Sequence, residues 1–178
     1  MTILFISDIH GIKTYLDLIE KRFLELHCDY LVVLGDLFYQ SFCGNDDYDP
    51  EYVQKFLNRF SSSIVCMKGN CDFNRDMNEL HFPVYSHLHH LQVDDFLMYL
   101  SHGDFYDKGN LPPISDLFIF IYGHEHIPFI EKKNGVFCFN PGSISLPRGG
   151  FLPSYMVYHD CTFTIYDING NVIDWVRV

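Results

Sequence analysis

The stretch ILFISDIHG, residues 3–11, passes from an apolar run directly into two potential metal ligands, Asp8 and His10. The same transition occurs at four later positions in the chain. The later transitions lie within residues 31–36, 64–72, 96–104 and 117–126. In open α/β sheets, ligands bind beyond the carboxyl ends of the strands. The five transitions therefore predict a sheet that delivers Asp, His and Asn side chains to one edge.

Strands and helices are predicted to alternate in the first part of the chain. Buried strands are predicted at Thr2–Ile6, Tyr30–Leu34 and Ile64–Met67. Such continuous apolar runs are typical of a parallel sheet that is covered on both faces. Helical spacing of apolar residues predicts a helix over Ile12–Leu26. Asp49-Pro50 predicts the start of a second helix, with Asp as cap and Pro at the first helical position, and a shorter helix is expected after Asp72.

From about residue 88 the pattern changes to strands that follow one another. The predicted turns between them contain Asp94-Asp95, Asn134-Gly135 and Asn169-Gly170, and Asn-Gly is a strong hairpin signal. We expect two sheets, one fed by crossovers and one mostly antiparallel, packed face to face with helices outside. A length of 178 residues suits one ordinary domain, so a single domain over residues 1–178 is predicted.

Composition bounds the classes of function. Hydrophobic residues make up 48% of the chain and aromatic residues 17%, which is enough to build a core at this size. The formal net charge of −11 predicts a surface that repels nucleic acid and anionic membranes. The aromatic content fits either a well-filled core or an apolar patch for self-association as a homo-oligomer, and the sequence leaves both open.

The cysteines indicate the compartment. None of the six forms a CxxC pair, so neither a zinc knuckle nor a thioredoxin-like site is predicted. The chain starts directly with a predicted strand, without a basic and apolar leader, and its apolar runs are too short to span a bilayer. We expect free thiols in a reducing cytoplasm.

Seven side chains at the transitions are candidate metal ligands. They are Asp8, His10, Asp36, Asn70, His102, His124 and His126. Asp8 and His10 lie two residues apart, so on an extended backbone both side chains point the same way. His124 and His126 repeat this spacing. Asp36 follows a glycine, which lets its carboxylate approach closely and bridge two ions.

Imidazole, carboxylate and amide oxygen together suit a pair of divalent cations such as Mn, Fe, Ni, Zn or Co. Two cations about 3.5–4 Å apart lower the pKa of a bridging water to near neutral. The resulting hydroxide attacks phosphorus in line, while the cations neutralise the developing charge. The residue types therefore predict metal-dependent hydrolysis of a phosphate ester without a nucleophilic side chain.

The ordered set Asp-x-His, Gly-Asp, Gly-Asn-x-Asp, His-Gly and Gly-His-x-His resembles the calcineurin-like metallophosphoesterases. Within them it is most similar to the small bacterial YfcE-type phosphodiesterases, and the segments 140–143 and 145–150 carry the resemblance further. The resemblance implies a four-layer αββα sandwich, of α/β (α+β) class, with two mixed sheets flanked by helices. It also implies a phosphodiesterase that acts on small phosphodiesters, with manganese as the activator.

The resemblance further implies a dinuclear metal site at the carboxyl ends of the strands, and it implies which ligands hold each of the two ions. Asp8, His10 and His126 would hold one ion. Asn70, His102 and His124 would hold the other. Asp36 would bridge the two.

Several residues depart from the family pattern or stand beside it. Cys71 occupies the position of a His that assists the leaving group, so we expect dependence on good leaving groups, or on an acid supplied by a loop or by water. Glu125 stands where Thr is common, and would add a carboxylate beside the metals. Asp104 replaces a second His and is expected to orient a ligand imidazole. Asp72 is expected to support the site or to cap a helix. Arg148 is the candidate phosphate contact, with a plain surface arginine as the alternative.

Three interpretations stay open at the level of sequence. The first is the phosphodiesterase. The second is a scaffold of the same fold that no longer catalyses and binds partner proteins; the complete ligand set argues against it. The third is a nuclease of the same superfamily, which the net charge and the lack of a basic stripe disfavour.

Two loops are expected near the site. Loops 37–49 and 105–115 shape the pocket, and Phe38, Tyr39 and Phe42 are candidates to contact substrate. Four histidines cluster at 81, 87, 89 and 90. We interpret them as the surface of a hairpin in preference to a peripheral metal site, because no spaced partner completes a site.

Overall fold

The computed structural model of the chain describes residues 1–38, 46–116 and 118–178. Tyr39 and Phe42, which the sequence suggested as substrate contacts, lie outside the described residues. Two helices are present in this part of the chain, α1 (Leu16–Glu25) and α2 (Pro50–Arg59). A 3-10 helix spans Asn74–Met77.

Twelve strands run through the described residues. They are β1 (Thr2–Ile6), β2 (Tyr30–Val33), β3 (Ile64–Met67), β4 (Val84–Tyr85), β5 (His89–Val93), β6 (Phe96–Leu100), β7 (Ile119–Ile121), β8 (Pro128–Lys133), β9 (Val136–Pro141), β10 (Ser154–His159), β11 (Thr162–Asp167) and β12 (Val172–Arg177).

The strands form two mixed sheets, as predicted. The seven-stranded sheet has the order β12-β11-β10-β1-β2-β3-β4, and the five-stranded sheet has the order β5-β6-β7-β9-β8. Strands β1 to β4 are parallel, because helical crossovers connect the first three of them. The chain then continues mainly through antiparallel hairpins, of which 89–100, 128–141 and 162–177 carry the predicted turns.

Two apolar cores hold the layers together. Helices α1 and α2 cover one face of the seven-stranded sheet through residues such as Leu16 and Phe56, both fully buried. The other face packs against the five-stranded sheet. There, Phe139 of β9 stacks on Phe163 of β11 with ring centroids 4.2 Å apart, and neither ring is exposed.

The outer face of the five-stranded sheet is covered by a segment without a helix, whereas helices cover the seven-stranded sheet. Phe120 and Tyr122 point to this face and pack against Tyr106 and Leu111. In residues 101–116 the described backbone forms bends and turns and no helix. The helices of the described chain therefore lie over the seven-stranded sheet.

Helix α1 begins four residues later than its apolar spacing predicted. Ile12 forms an antiparallel bridge with Tyr48, which keeps the preceding backbone extended. Helix α2 begins where predicted, because the Asp49 carboxylate accepts a hydrogen bond of 2.9 Å from the Tyr52 N–H and Pro50 opens the first turn.

Strand β10 was not predicted from the sequence. It lies antiparallel beside β1, with Leu4 opposite Val157, and joins the parallel half of its sheet to the β11–β12 hairpin. Its residues are apolar on both faces, so they lack the alternation that identifies a strand. Among the described residues, no helix is long and apolar enough to cross a membrane.

Candidate metal centre

Every candidate ligand lies just beyond the carboxyl end of a parallel strand. Strands β1, β2 and β3 of the seven-stranded sheet lead to Asp8, Asp36 and Asn70, and β6 and β7 of the five-stranded sheet lead to His102 and His124. The ligands thus come from two sheets, whereas the sequence pattern suggested one. The edges meet because the sheets pack face to face, and because the N–H of His124 donates to Asp8 Oδ2 at 3.0 Å.

An unusual backbone conformation aims the ligands. Five of the seven candidates have a positive φ, and they are Asp8 (56°), His10 (53°), Asp36 (51°), His124 (64°) and His126 (59°). This left-handed region is uncommon for residues other than glycine, although Asn, Asp and His tolerate it best. Such strain concentrates at functional sites, where the surrounding structure holds it in place.

The first cluster consists of Asp8, His10 and His126, all of them at least 96% buried. Asp8 Oδ1 lies 3.3 Å from His126 Nε2 and 3.8 Å from His10 Nε2. The two Nε2 atoms are 3.2 Å apart. Asp8 Oδ1 has no hydrogen-bond partner among the described residues. A buried carboxylate oxygen without a donor is costly, and a cation at this point would satisfy it.

The second cluster consists of Asp36, His102, His124 and Asn70. Asp36 Oδ1 lies 3.4 Å from His102 Nε2, which in turn is 3.0 Å from Asn70 Oδ1 and 3.2 Å from His124 Nδ1. The ligand atoms of Asp36, His102 and His124 all lie within 4.8 Å of one another. This grouping is compact enough for a second cation.

Asp36 belongs to both clusters. Its Oδ2 is 3.7 Å from His10 Nε2, while its Oδ1 faces His102. Oδ1 also accepts a hydrogen bond of 2.8 Å from the Cys71 N–H. The two oxygens therefore face opposite clusters, which is the arrangement that a bridging carboxylate requires.

Backbone carbonyls fix the orientation of two imidazoles. His102 Nδ1 lies 2.8 Å from the Leu34 carbonyl oxygen, and His126 Nδ1 lies 2.7 Å from that of Leu146. Because a carbonyl only accepts, each Nδ1 carries the proton and each Nε2 faces the cluster. Metal-bound imidazoles are commonly oriented in this way.

The site favours protons on two of its imidazoles when no metal is bound. Burial lowers the pKa of His102, but the hydrogen bond and charge of Asp36 outweigh burial and raise that pKa to about 9. Asp8 likewise raises the pKa of His126 against the effect of burial. The pKa of His10 is lowered, since burial outweighs its carboxylate neighbours. The pKa of Asp36 lies well below its usual range, because hydrogen bonds and charge from His102 overcome burial.

Two glycines leave the space that the carboxylates occupy. A Cβ atom at Gly69 would lie 2.1 Å from Asp36 Oδ1, and one at Gly123 would lie 1.9 Å from Ser7 Oγ and 2.9 Å from Asp8 Oδ2. Real Cβ atoms do not come so close. The Gly-Asn and Gly-His steps are therefore required for the backbone to pass beside the ligands.

The donor set suits divalent cations, and comparison with known proteins identifies the family. A profile of the calcineurin-like phosphoesterase superfamily domain matches residues 1–162.

The chain belongs to this superfamily.

Two relatives match nearly the whole chain. Phosphodiesterase YfcE of Escherichia coli strain K12 is 30% identical over 97% of this chain and 95% of its own length. The probable metallophosphoesterase YsnB of Bacillus subtilis is 29% identical over 98% of this chain and 95% of its own length. The resemblance read from the motifs is confirmed.

Solved structures confirm the fold class. The structure of the Escherichia coli phosphoesterase YfcE matches with a TM-score of 0.92 and 30% identity over 99% of both chains. Vps29 of Cryptosporidium parvum has the same fold, with a TM-score of 0.63 at 21% identity over 99% of this chain and 98% of its own. The expectation that the chain is an enzyme of the phosphoesterase class is confirmed.

In this superfamily member Asp72 ties two ligand loops together. Its carboxylate accepts hydrogen bonds from the N–H groups of Leu37 (2.8 Å), Phe38 (3.0 Å) and Gly69 (2.9 Å). The 3-10 helix begins after Phe73, so Asp72 does not cap it. Burial raises the pKa of Asp72 to about 6, against these hydrogen bonds.

Two of the remaining candidates do not contact the ligands as expected. Asp104 is exposed, and the carbonyl of Leu34 orients His102 in its place. Glu125 accepts a hydrogen bond of 3.0 Å from the Tyr122 hydroxyl.

Cys71 and Arg148 lie close to the clusters. The Cys71 thiol is grouped with His10 and Asp36, and burial, followed by the charge of Asp36, raises its pKa to about 12. Arg148 is exposed, and its positive charge acts to lower the pKa of His126. It forms no ion pair with the described residues, so its guanidinium is available to an anion.

Sequence reasoning missed the role of main-chain and hydroxyl groups. The Ser143 hydroxyl donates to the Asp8 carbonyl (2.9 Å) and accepts from the Leu146 N–H (2.8 Å), and thereby fixes the carbonyl that orients His126. The Asn140 side chain donates to the Gly123 carbonyl at 2.7 Å and holds the loop that carries His124. From the sequence, the segment 140–143 is predicted to be a rigid turn that supports the loop with His124 and His126, but the individual hydrogen bonds were not predicted.

Two cavities differ in their relation to the metal centre. The larger, about 530 Å³, lies on the outer side of β10 and β11 beside Arg22 and Tyr166, and contains none of the ligands. A groove of about 450 Å³ begins at Asn70 and passes Phe73 and His87. Only the second of these is continuous with the candidate centre.

Proposed function

We propose that the chain hydrolyses small phosphodiesters with the help of two divalent cations, manganese foremost. The observation that carries this proposal is the position of Asp36, whose two carboxylate oxygens face two separate groups of ligand atoms. Membership of the phosphoesterase superfamily and the likeness to a curated phosphodiesterase support it.

The residues divide into two ligand groups that share Asp36. Asp8, His10 and His126 would hold one cation; Asn70, His102 and His124 would hold the other. When bound, the cations supply the Lewis acidity that lowers the pKa of water to near neutral and neutralises charge on the phosphate. Arg148 is placed to contact a phosphate oxygen, since its exposed guanidinium stands near His126.

Departure of the alcohol receives little help from Cys71. With its pKa raised to about 12, the thiol gives up its proton less readily than an imidazolium does. We therefore expect turnover to favour esters whose leaving group is stable as an anion. Free thiols at the five described cysteines fit a reducing compartment, and we propose the cytoplasm.

The test is hydrolysis of bis-p-nitrophenyl phosphate by metal-stripped protein, with and without Mn²⁺. We expect metal-dependent release of p-nitrophenol. Changes to groups that only orient metal ligands reduce activity by up to about 100-fold. Asp36→Asn, which alters a candidate ligand itself, should reduce the rate by more than this. Asp95→Asn, on the exposed turn between β5 and β6, is the matched control and should leave the rate unchanged.

Two outcomes would contradict the proposal. Cleavage that does not need a metal would remove the basis for the ligand assignment. Tight Mn²⁺ binding without cleavage under Mn²⁺, Ni²⁺ or Zn²⁺ would favour a scaffold that retains the site but not the reaction.

A further inference from the structure

The groove that begins at Asn70 has an unusual lining for the surroundings of a metal centre. Phe73 lines it with 54% of its surface exposed, and Phe105, which follows the lining residue Asp104, is 56% exposed. These are the two most exposed phenylalanines among the described residues. Folding alone gains nothing from exposing two large aromatic rings at one groove.

Contacts with neighbouring side chains hold both rings in place, Phe73 in the lining of the groove and Phe105 beside it. His87 lines the groove and packs on Phe105 with ring centroids 5.3 Å apart. Its backbone is left-handed, with φ of 60°, a conformation that persists where the surroundings impose it. The Arg75 guanidinium lies over the Phe73 ring at 5.5 Å.

Polar groups along the groove offer both donors and acceptors. Asn74, Ser86 and Asp104 line it and are exposed. Asp104 forms no ion pair with the described residues, whereas Lys68 is engaged by Asn74 at 2.8 Å. A mixed set of this kind can pair with the edge of a heteroaromatic ring, while the free carboxylate disfavours an additional anionic group.

We propose that this groove binds a flat heteroaromatic group, a nucleobase, on one ester arm of a phosphodiester substrate. Asn70 belongs to both the groove and the second ligand cluster, so a phosphate at the metals would place one ester arm at the groove. Bases stack on aromatic side chains with little dependence on their identity. A volume of about 450 Å³ accommodates a group of nucleoside size. The inference rests on the proposed function for the position of the phosphate.

The test compares two ligands that differ by the base alone. Binding of adenosine 5′-monophosphate and of ribose 5-phosphate to the Mn²⁺-loaded protein is measured by calorimetry. The wild type should bind the nucleotide about 10-fold more tightly or better, as expected for one stacked base. Phe73→Leu should bring the two dissociation constants close together and leave that of ribose 5-phosphate unchanged.

The matched control is Phe151→Leu, which alters an exposed phenylalanine next to the Arg148 segment. It should keep the preference for the nucleotide. Equal affinities in the wild type would overturn the proposal. So would a preference that is lost in Phe151→Leu and kept in Phe73→Leu.

Hydrolysis of bis-p-nitrophenyl phosphate by the same preparations separates the two proposals. Base-dependent binding without hydrolysis would support the groove and contradict the proposed function. Hydrolysis without base-dependent binding would support the function and contradict the groove.

Discussion

His102 couples metal binding to protons more strongly than the other ligands. It is fully buried between the Leu34 carbonyl and the Asp36 carboxylate, and its pKa is raised to about 9. At neutral pH the metal-free ring therefore carries a proton on Nε2, where the cation must bind. A metal can enter only when that proton leaves.

We predict that Mn²⁺ binding near pH 7 releases about one proton at His102. Affinity should fall as the pH is lowered below about 9, by about tenfold per unit for each proton released. Calorimetry in buffers of different ionisation enthalpy measures the number of protons. Asp36→Asn removes the carboxylate that raises the pKa of His102. Mn²⁺ binding to this variant should therefore release fewer protons than binding to the wild type. Proton release that is absent in the wild type would contradict the raised pKa of His102.

The elements show which parts of the site a sequence can reveal. Apolar runs that end in Asp, His or Asn predicted β1, β2 and β3 and the ligands that follow them, because strand periodicity and residue type are local properties. Strand pairing is not local. The division of the ligands between two sheets depends on how the strands associate, as does the position of β10 next to β1.

The same limit applies to the groups that orient the ligands. The carbonyls of Leu34 and Leu146 act through their main chain, so their side chains gave no signal. From the sequence, Asp104 was expected to orient a ligand imidazole, because it replaces a second His shortly after His102. The folded loop leaves its side chain exposed and brings the Leu34 carbonyl to the imidazole instead.

Gly69 lies between β3 and the ligand Asn70, and its lack of a side chain lets this loop pass close to Asp36. We predict that Gly69→Ala lowers Mn²⁺ affinity by about 10–100-fold, the range seen when groups that position ligands are changed. The added Cβ would collide with the Asp36 carboxylate and backbone, 2.1 and 2.2 Å away. Equilibrium titration with Mn²⁺ measures the effect.

Gly109→Ala is the control for this substitution. Its Cβ would lie 3.1 Å from Asp107 Oδ1, which accepts hydrogen bonds from the Gly109 and Asn110 N–H groups in this exposed segment. Any adjustment there is local to the segment and involves none of the candidate ligands. Affinity should stay unchanged there. If Gly69→Ala also left the affinity for Mn²⁺ unchanged, the prediction would be contradicted. The loop would then accommodate the added Cβ without moving Asp36.

At the scale of the whole molecule, the metal centre depends on how firmly the two sheets are joined. Its ligands lie on both sheets, and the joint consists of apolar contacts such as the stack of Phe139 on Phe163. Packing between the sheets therefore fixes the distances within each ligand cluster.

We predict that Phe163→Ala lowers the free energy of unfolding by about 3–5 kcal/mol, the usual cost of deleting a fully buried phenylalanine. Urea unfolding of the metal-free protein measures this loss. Trp175→Ala removes a larger ring that is 63% exposed on the edge strand β12, and should cost less than about 1 kcal/mol. Similar losses in the two variants would show that the joint between the sheets contributes little to stability.

The left-handed backbone at five ligands has a consequence for how this fold can change over generations. At Asp8, His10, Asp36, His124 and His126 the backbone admits Asp, Asn, His or Gly at low cost and penalises branched side chains. A lineage that abandoned its metals would still be confined to this small set of residues. Substitutions at these positions would then be mainly to Asn and Gly. Such substitutions would indicate that the reaction had been lost while the fold was retained.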